Sequence, residues 1–176
     1  MIPFIGLAEG LVLTAMRSSG VPLQRIRPAL QRLQDEFGLA YALASRRLYT
    51  DGAEVLFDYA ETGSDQVAAR AASELVVVRN GQRVFNELVQ AYLHRLEVSS
   101  DGYARLIHLP AYEVANVVAD SAQGFGQPIF ANGGARVEDA LALFRAGERL
   151  DVVAEEYGVP RDELEDAVRI ATRRAA

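Results

Sequence analysis

The sequence contains no cysteine, no lysine, no tryptophan and only two histidines, His94 and His108. Without cysteine there is no disulfide, no thiolate zinc site and no thiol nucleophile, and redox chemistry says nothing of the compartment. Without lysine, all eighteen basic residues are arginines, whose planar guanidinium suits carboxylate and phosphate contacts. No run approaches the roughly 20 apolar residues that a membrane span needs. The apolar start "MIPFIGLAEGLVLTAMRSSG" carries Glu9 and has neither a basic leader nor a small-residue cleavage site. It therefore reads poorly as a signal peptide, and a cytoplasmic location is expected.

What remains is a chain of 176 residues, half of them apolar, enough for one domain or two small ones with a real core. Its formal net charge of −6 is unevenly spread. Between Arg17 and Arg47, the arginines at 17, 25, 27, 32, 46 and 47 face only Asp35 and Glu36. Between Leu150 and Val168, seven carboxylates face Arg161 alone. These two surfaces call for different partners.

Periodicity predicts an α+β fold in three stages. Ile5, Ala8, Val12 and Met16 share a helix face that Gly20 ends, and Pro22 opens a second helix. In that helix Leu23, Ile26, Leu30, Leu33 and Phe37 form a heptad-like seam, which fits a homodimer or an intramolecular contact equally well. Pro28 within it predicts a kink or break near Arg27. The middle of the chain reads as a small, mostly antiparallel sheet with a covering helix. "RRLYTDGAEVLFDY" and "RLEVSSDGYARLIHL" each place Asp-Gly between β-favouring runs, a hairpin signal. "ELVVVRNG" adds a strand, with a helix expected from about Gln82 to Arg95 after an Asn80-Gly81 entry turn. "AETGSDQVAARAASE" fits a loop or a short helix.

From Ser121 to Gly147 five glycines surround the strand-like "QPIF", and three helices follow. The expected domains are 1–120, a helical pair plus α+β region, and 121–176, a C-terminal helix-turn-helix domain. The link "VADSAQGFGQ" reads as a hinge or a packed turn. The last two helices fit the helix-turn-helix pattern: Ala154 is the small residue at the crossing, Gly158 takes the turn, Val159 plugs the corner, and Leu164 and Ala167 line the buried side with Val153 and Tyr157. "RDELEDA" gives the second of these helices four carboxylates in its first turns, the wrong sign for a helix that reads DNA.

The run "FGQPIFANGGARVEDALALFRAGERLDVVAEEYGVPRDELEDAVRIA" resembles the bacterial family known as domain of unknown function 433. Gly126, Gln127 and Pro128 match its entry, Gly134 and Arg136 its turn, Val137 its helix start and Ala146-Gly147 its first stop. Ala154, Glu155 and Tyr157 match the second helix and Ala167 the third. The usual Gly-Thr before the arginine is here Gly134-Ala135. Upstream, "SSGVPLQRIRPALQRL" is similar to an element that in longer members follows a MerR-like helix-turn-helix. By that likeness the DNA-reading helices lie outside this chain, through truncation or a late start codon, and DNA is contacted only through them.

Members of this family are classed as VapB-type antitoxins. The resemblance implies an antitoxin that binds and silences a VapC-type PIN-domain ribonuclease and helps to repress its own operon. It also implies a homodimer joined near the Leu23 to Phe37 seam. Arginine inserted among the acidic metal ligands of such a nuclease would disable it, and Arg169, Arg173 and Arg174 at the extreme C-terminus are the candidates. A second reading of these three is that they offset the helix dipole. The N-terminal cluster of Arg17, Arg25, Arg27 and Arg32 is the alternative partner surface. A stand-alone regulator of the MerR-like or helix-turn-helix kind is the competing function.

No enzyme, cofactor or metal is expected. His94, His108 and Glu97 form at most a faint metal pattern near the Ser99 to Gly102 turn, with no nucleophile and base at catalytic spacing. "GFGQPIFANGG" lacks the GK[ST] ending of a phosphate loop and the full GxGxxG fingerprint.

Overall fold

Residues 3–175 are described in this computed structural model, with side chains through Arg173. Two units divide the chain, Met1–Ala104 and Arg105–Ala176.

In the first unit, α1 (Phe4–Ser18) ends at Gly20, whose positive φ of 89° turns the chain into α2 (Leu23–Phe37). The helix α2 is not broken near Arg27: it continues through Pro28. Buried Ile26, Ala29, Leu33 and Phe37 lie on both sides of the proline and commit this face to packing. After a short 3-10 turn at Ala42–Ala44 come α3 (Arg46–Thr62) and α4 (Gln66–Ser73), both packed on α2. Of the seam residues, Ile26, Leu33 and Phe37 are buried within this unit, whereas Leu23 and Leu30 are half-buried.

The first predicted hairpin is not formed, because Asp51-Gly52 lies within α3. Leu48, Gly52, Ala53 and Leu56 make its buried stripe, a helical spacing that the Asp-Gly signal masked. Gly52 is there for room: a Cβ would meet Leu48 Cδ1 at 2.9 Å and the Phe85 ring at 3.2 Å. The ambiguous segment after it is helical because Asp65 Oδ1 accepts N–H bonds from Val67 (3.0 Å) and Ala68 (3.1 Å), capping α4.

Next, β1 (Val76–Arg79) and β2 (Gln82–Phe85) form an antiparallel hairpin, Val76 opposite Phe85. Asn80-Gly81 is therefore a hairpin turn with both residues at positive φ, not a helix entry. The helix begins later, as α5 (Glu87–Leu93), where Asn86 Oδ1 accepts the Val89 N–H at 3.0 Å. Then β3 (Leu96–Val98) runs into the expected Asp101-Gly102 turn, where the Ser99 N–H donates to the Tyr103 carbonyl.

The second unit starts within β4 (Ala104–His108), which pairs antiparallel with β5 (Val117–Asp120), and β5 in turn pairs with β6 (Pro128–Phe130). The second unit thus includes β5, which pairs with the "QPIF" strand β6. Three helices follow: α6 (Val137–Arg145), α7 (Leu150–Tyr157) and α8 (Arg161–Ala175). Phe130, Val137, Ala140, Leu141, Val153, Ala154, Val159, Leu164 and Ala167 share one core with Ala115 and Val117. Gly158 takes the left-handed conformation (φ 62°), and the Val159 N–H reaches the Ala154 carbonyl at 2.9 Å, as the helix-turn-helix pattern requires.

Candidate functional site

In the first unit the arginine surface lies on α1 and α2. Arg17, Arg25, Arg27 and Arg32 are all exposed. Arg32 pairs with Glu36 at 3.0 Å, one helical turn on, whereas Arg17, Arg25 and Arg27 make no ion pair among the described residues. Arg47, in the same charge run, is structural: it bonds Asp51 and the Phe37 carbonyl, each at 3.3 Å, and stacks on the Phe37 ring. Arg25 borders an open groove of about 690 Å³ between α2 and α4, with Arg70 on the far wall and Pro22, Val67 and Ala71 between them. Glu74 also lines the groove and lies 3.9 Å from Arg70, so Arg25 is the guanidinium left there without an ion pair among the described residues.

The carboxylates of α8 have a different use from that of a surface. Asp166 is 2% exposed, and its Oδ2 accepts the N–H groups of Glu113 (3.0 Å), Val114 (2.9 Å) and Ala115 (3.0 Å). Burial pushes this carboxyl upward, but the three N–H groups, with Arg169 beside it, hold it below the usual range. Glu163, also buried, accepts the Asn116 N–H and the Asn132 side-chain amide, both at 3.1 Å. Two of the four acids of "RDELEDA" therefore anchor the irregular segment 113–116 that leads into β5, and only Asp162 and Glu165 face solvent. In sequence all four acids crowd the first turns of α8, but Glu163 and Asp166 share the helical spacing of buried Leu164 and Ala167.

The proposed C-terminal contacts divide in the same way. Arg169 lies 3.5 Å from Asp166 and 3.9 Å from Glu165, so part of its role is within the helix. Arg173 is exposed and makes no ion pair among the described residues. The Arg174 side chain lies outside the described residues. Arg136, in the turn before α6, is held bidentately by Asp139 (2.8 and 2.6 Å) and is 3.4 Å from Gln127 Oε1.

His94 caps the end of α5 in the first unit, and His108 lies on β4 in the second, its Nδ1 3.3 Å from Asn116 Oδ1. Among the described residues no group of three or more His, Cys, Asp or Glu side chains can hold a metal ion. No helix among them is long and apolar enough to cross a membrane.

The chain is 47% identical over 168 residues to the Mycobacterium tuberculosis protein named "Putative antitoxin VapB45", a match covering 95% of this chain and 70% of that one. The chain belongs to the VapB-type antitoxin family. Its fold is that of the crystal structure of Rv2018 from Mycobacterium tuberculosis, with a TM-score of 0.84 and 48% identity over 94% of this chain and 78% of the other. Residues 1–30 match a family described as "Putative DNA-binding HTH domain". That match falls on α1 and the start of α2, not on α7 and α8, and it includes Arg17, Arg25 and Arg27. DNA-reading helices were expected only outside this chain, whereas the match to the family so described falls within it.

Proposed function

We propose that this VapB-type antitoxin binds and silences a VapC-type PIN-domain ribonuclease and contributes to repression of its own operon. The observation that carries the reading is the 47% identity to a named antitoxin over nearly the whole chain. The two charge patterns supply a division of labour. Arg17, Arg25 and Arg27, inside the stretch matched to a DNA-binding family, suit phosphates. The end of α8, with Arg173 exposed and Arg169 half-exposed, suits an acidic metal cluster. Arg173 is the preferred inserted cation, because Arg169 lies 3.5 Å from Asp166.

The test is co-expression with the product of the neighbouring gene, followed by light scattering and an RNA-cleavage assay. A stable complex with suppressed cleavage is expected, and Arg173→Ala should relieve the suppression more than Arg169→Ala does. A neighbour that neither binds nor cleaves RNA would refute the antitoxin reading. For repression, binding to the DNA upstream of the gene should weaken in Arg25→Ala and Arg27→Ala, each lowering the salt slope by about 1. An unchanged slope would remove α2 from the DNA interface.

A further inference from the structure

In the segment after β5, Gly124, Phe125 and Gly126 all adopt left-handed conformations, with φ of 59°, 54° and 75°. For glycine this is ordinary, but a phenylalanine there carries strain that the surroundings must impose. The Phe125 side chain does nothing inside the molecule in return, since the residue is 101% exposed. It is the most exposed of the large apolar residues in the described chain. A strained backbone that holds an aromatic ring fully in water is a feature without a folding role.

A receptor for such a ring lies in the same unit. Tyr112, Pro128, Val137, Leu141, Ile170 and Ala171 line a groove of about 240 Å³ along α6 and α8. A cavity of about 150 Å³ lined by apolar side chains takes up benzene, so this groove has room for a phenyl ring. Its wall begins at Gln127, two residues after Phe125, which puts knob and groove on one patch. A two-fold interface needs that arrangement, because a single patch must be complementary to its own copy. The rim charges Glu138 and Arg145 are paired with each other at 2.7 Å, so the rim has no net charge to repel a second copy. Nucleic acid or an anionic membrane suits the patch poorly, since the unit has eight arginines against twelve carboxylates.

We propose that Phe125 is the anchor of a homodimer in which each copy's phenyl ring enters the groove between α6 and α8 of the other. This interface does not depend on the antitoxin reading. It replaces the α2 seam, of which Ile26, Leu33 and Phe37 are buried within the first unit.

Sedimentation velocity on the 176-residue chain tests it, with Phe125→Gly to remove the ring and Ala171→Phe to fill the groove. Phe125→Gly also relieves the left-handed strain, so its melting temperature should equal or exceed that of the parent, which separates loss of assembly from loss of fold. The parent chain should dimerise, and each variant should weaken the dimer by roughly a thousandfold, about thirtyfold for an aromatic hot spot at each of the two symmetric contacts. A mixture of the two variants keeps one intact ring and one open groove, and should associate more tightly than either variant alone. A parent chain that stays monomeric throughout the micromolar range, or Phe125→Gly dimerising as tightly as the parent, would overturn the proposal. Ala171→Phe dimerising as tightly as the parent would exclude the groove as the receptor.

Discussion

The two units solve the same problem, fixing short elements in a small core, by opposite means. The first is held by apolar stripes: Val12 and Met16 on α1, Ile26 and Leu33 on α2, Leu48 and Leu56 on α3 are all fully buried, and its free arginines remain outside. The second buries charge. Asp166 and Glu163 cross the core to gather four backbone N–H groups of residues 113–116, a segment with little regular structure of its own. The difference shows where each unit can lend its surface. Arginines that hold no structure are available to a partner, whereas the carboxylates that appear to dominate α8 are partly committed to the fold.

The sharpest way to break this comparison is Asp166→Ala. It leaves three backbone donors without their acceptor, and the second unit should lose about 4 kcal/mol, read by urea unfolding and by faster amide exchange at Glu113 to Ala115. A loss below 1 kcal/mol would mean that the carboxylate is incidental. The same group sets a pH window. Its folded pKa lies below the ordinary 3.8, so its contribution is complete above that value and is lost as pH falls below it.

In the first unit the corresponding probe is steric. Gly52→Val pushes a branched side chain against Leu48 and the Phe85 ring, and should cost about 2 kcal/mol, measured by thermal melting. Asp65→Ala removes the cap of α4 and should cost about 1 kcal/mol, with fraying confined to the first turn by amide exchange. The smallest effect is expected at Glu9, which has the opposite sign to Asp166. Burial pushes its carboxyl above the ordinary 4.5, with only a backbone hydrogen bond at Leu43 opposing. Its contribution is therefore full at low pH and is lost as pH rises through the folded value. Glu9→Gln should stabilise the first unit slightly at neutral pH and make no difference in acid, and a loss of stability at neutral pH would contradict the comparison.

The elements that were legible in the sequence are those whose signals are local. The C-terminal helices end where Gly147 and Gly158 stop them, and Ala154, Val159, Leu164 and Ala167 are buried as the helix-turn-helix spacing requires. The "QPIF" strand and the Asp101-Gly102 turn are also where their residues indicate. The candidate partner surface was legible in part, as clusters of arginine. Which of them are committed was not, because Arg47 and Arg169 are occupied by neighbours that helix geometry brings alongside.

By itself the sequence determined the family, the mixed α+β class, the absence of thiol chemistry and the order of the C-terminal helices, since each follows from composition, motif spacing or a single stop residue. Only the tertiary structure decided that Asp51-Gly52 is helical, that Ile26 and Leu33 are buried within the first unit, that Asp166 is an anchor and that Phe125 stands in water. Each of these depends on what packs against a residue from far along the chain. A glycine required for clearance from Phe85 looks, in sequence, the same as one required for a turn.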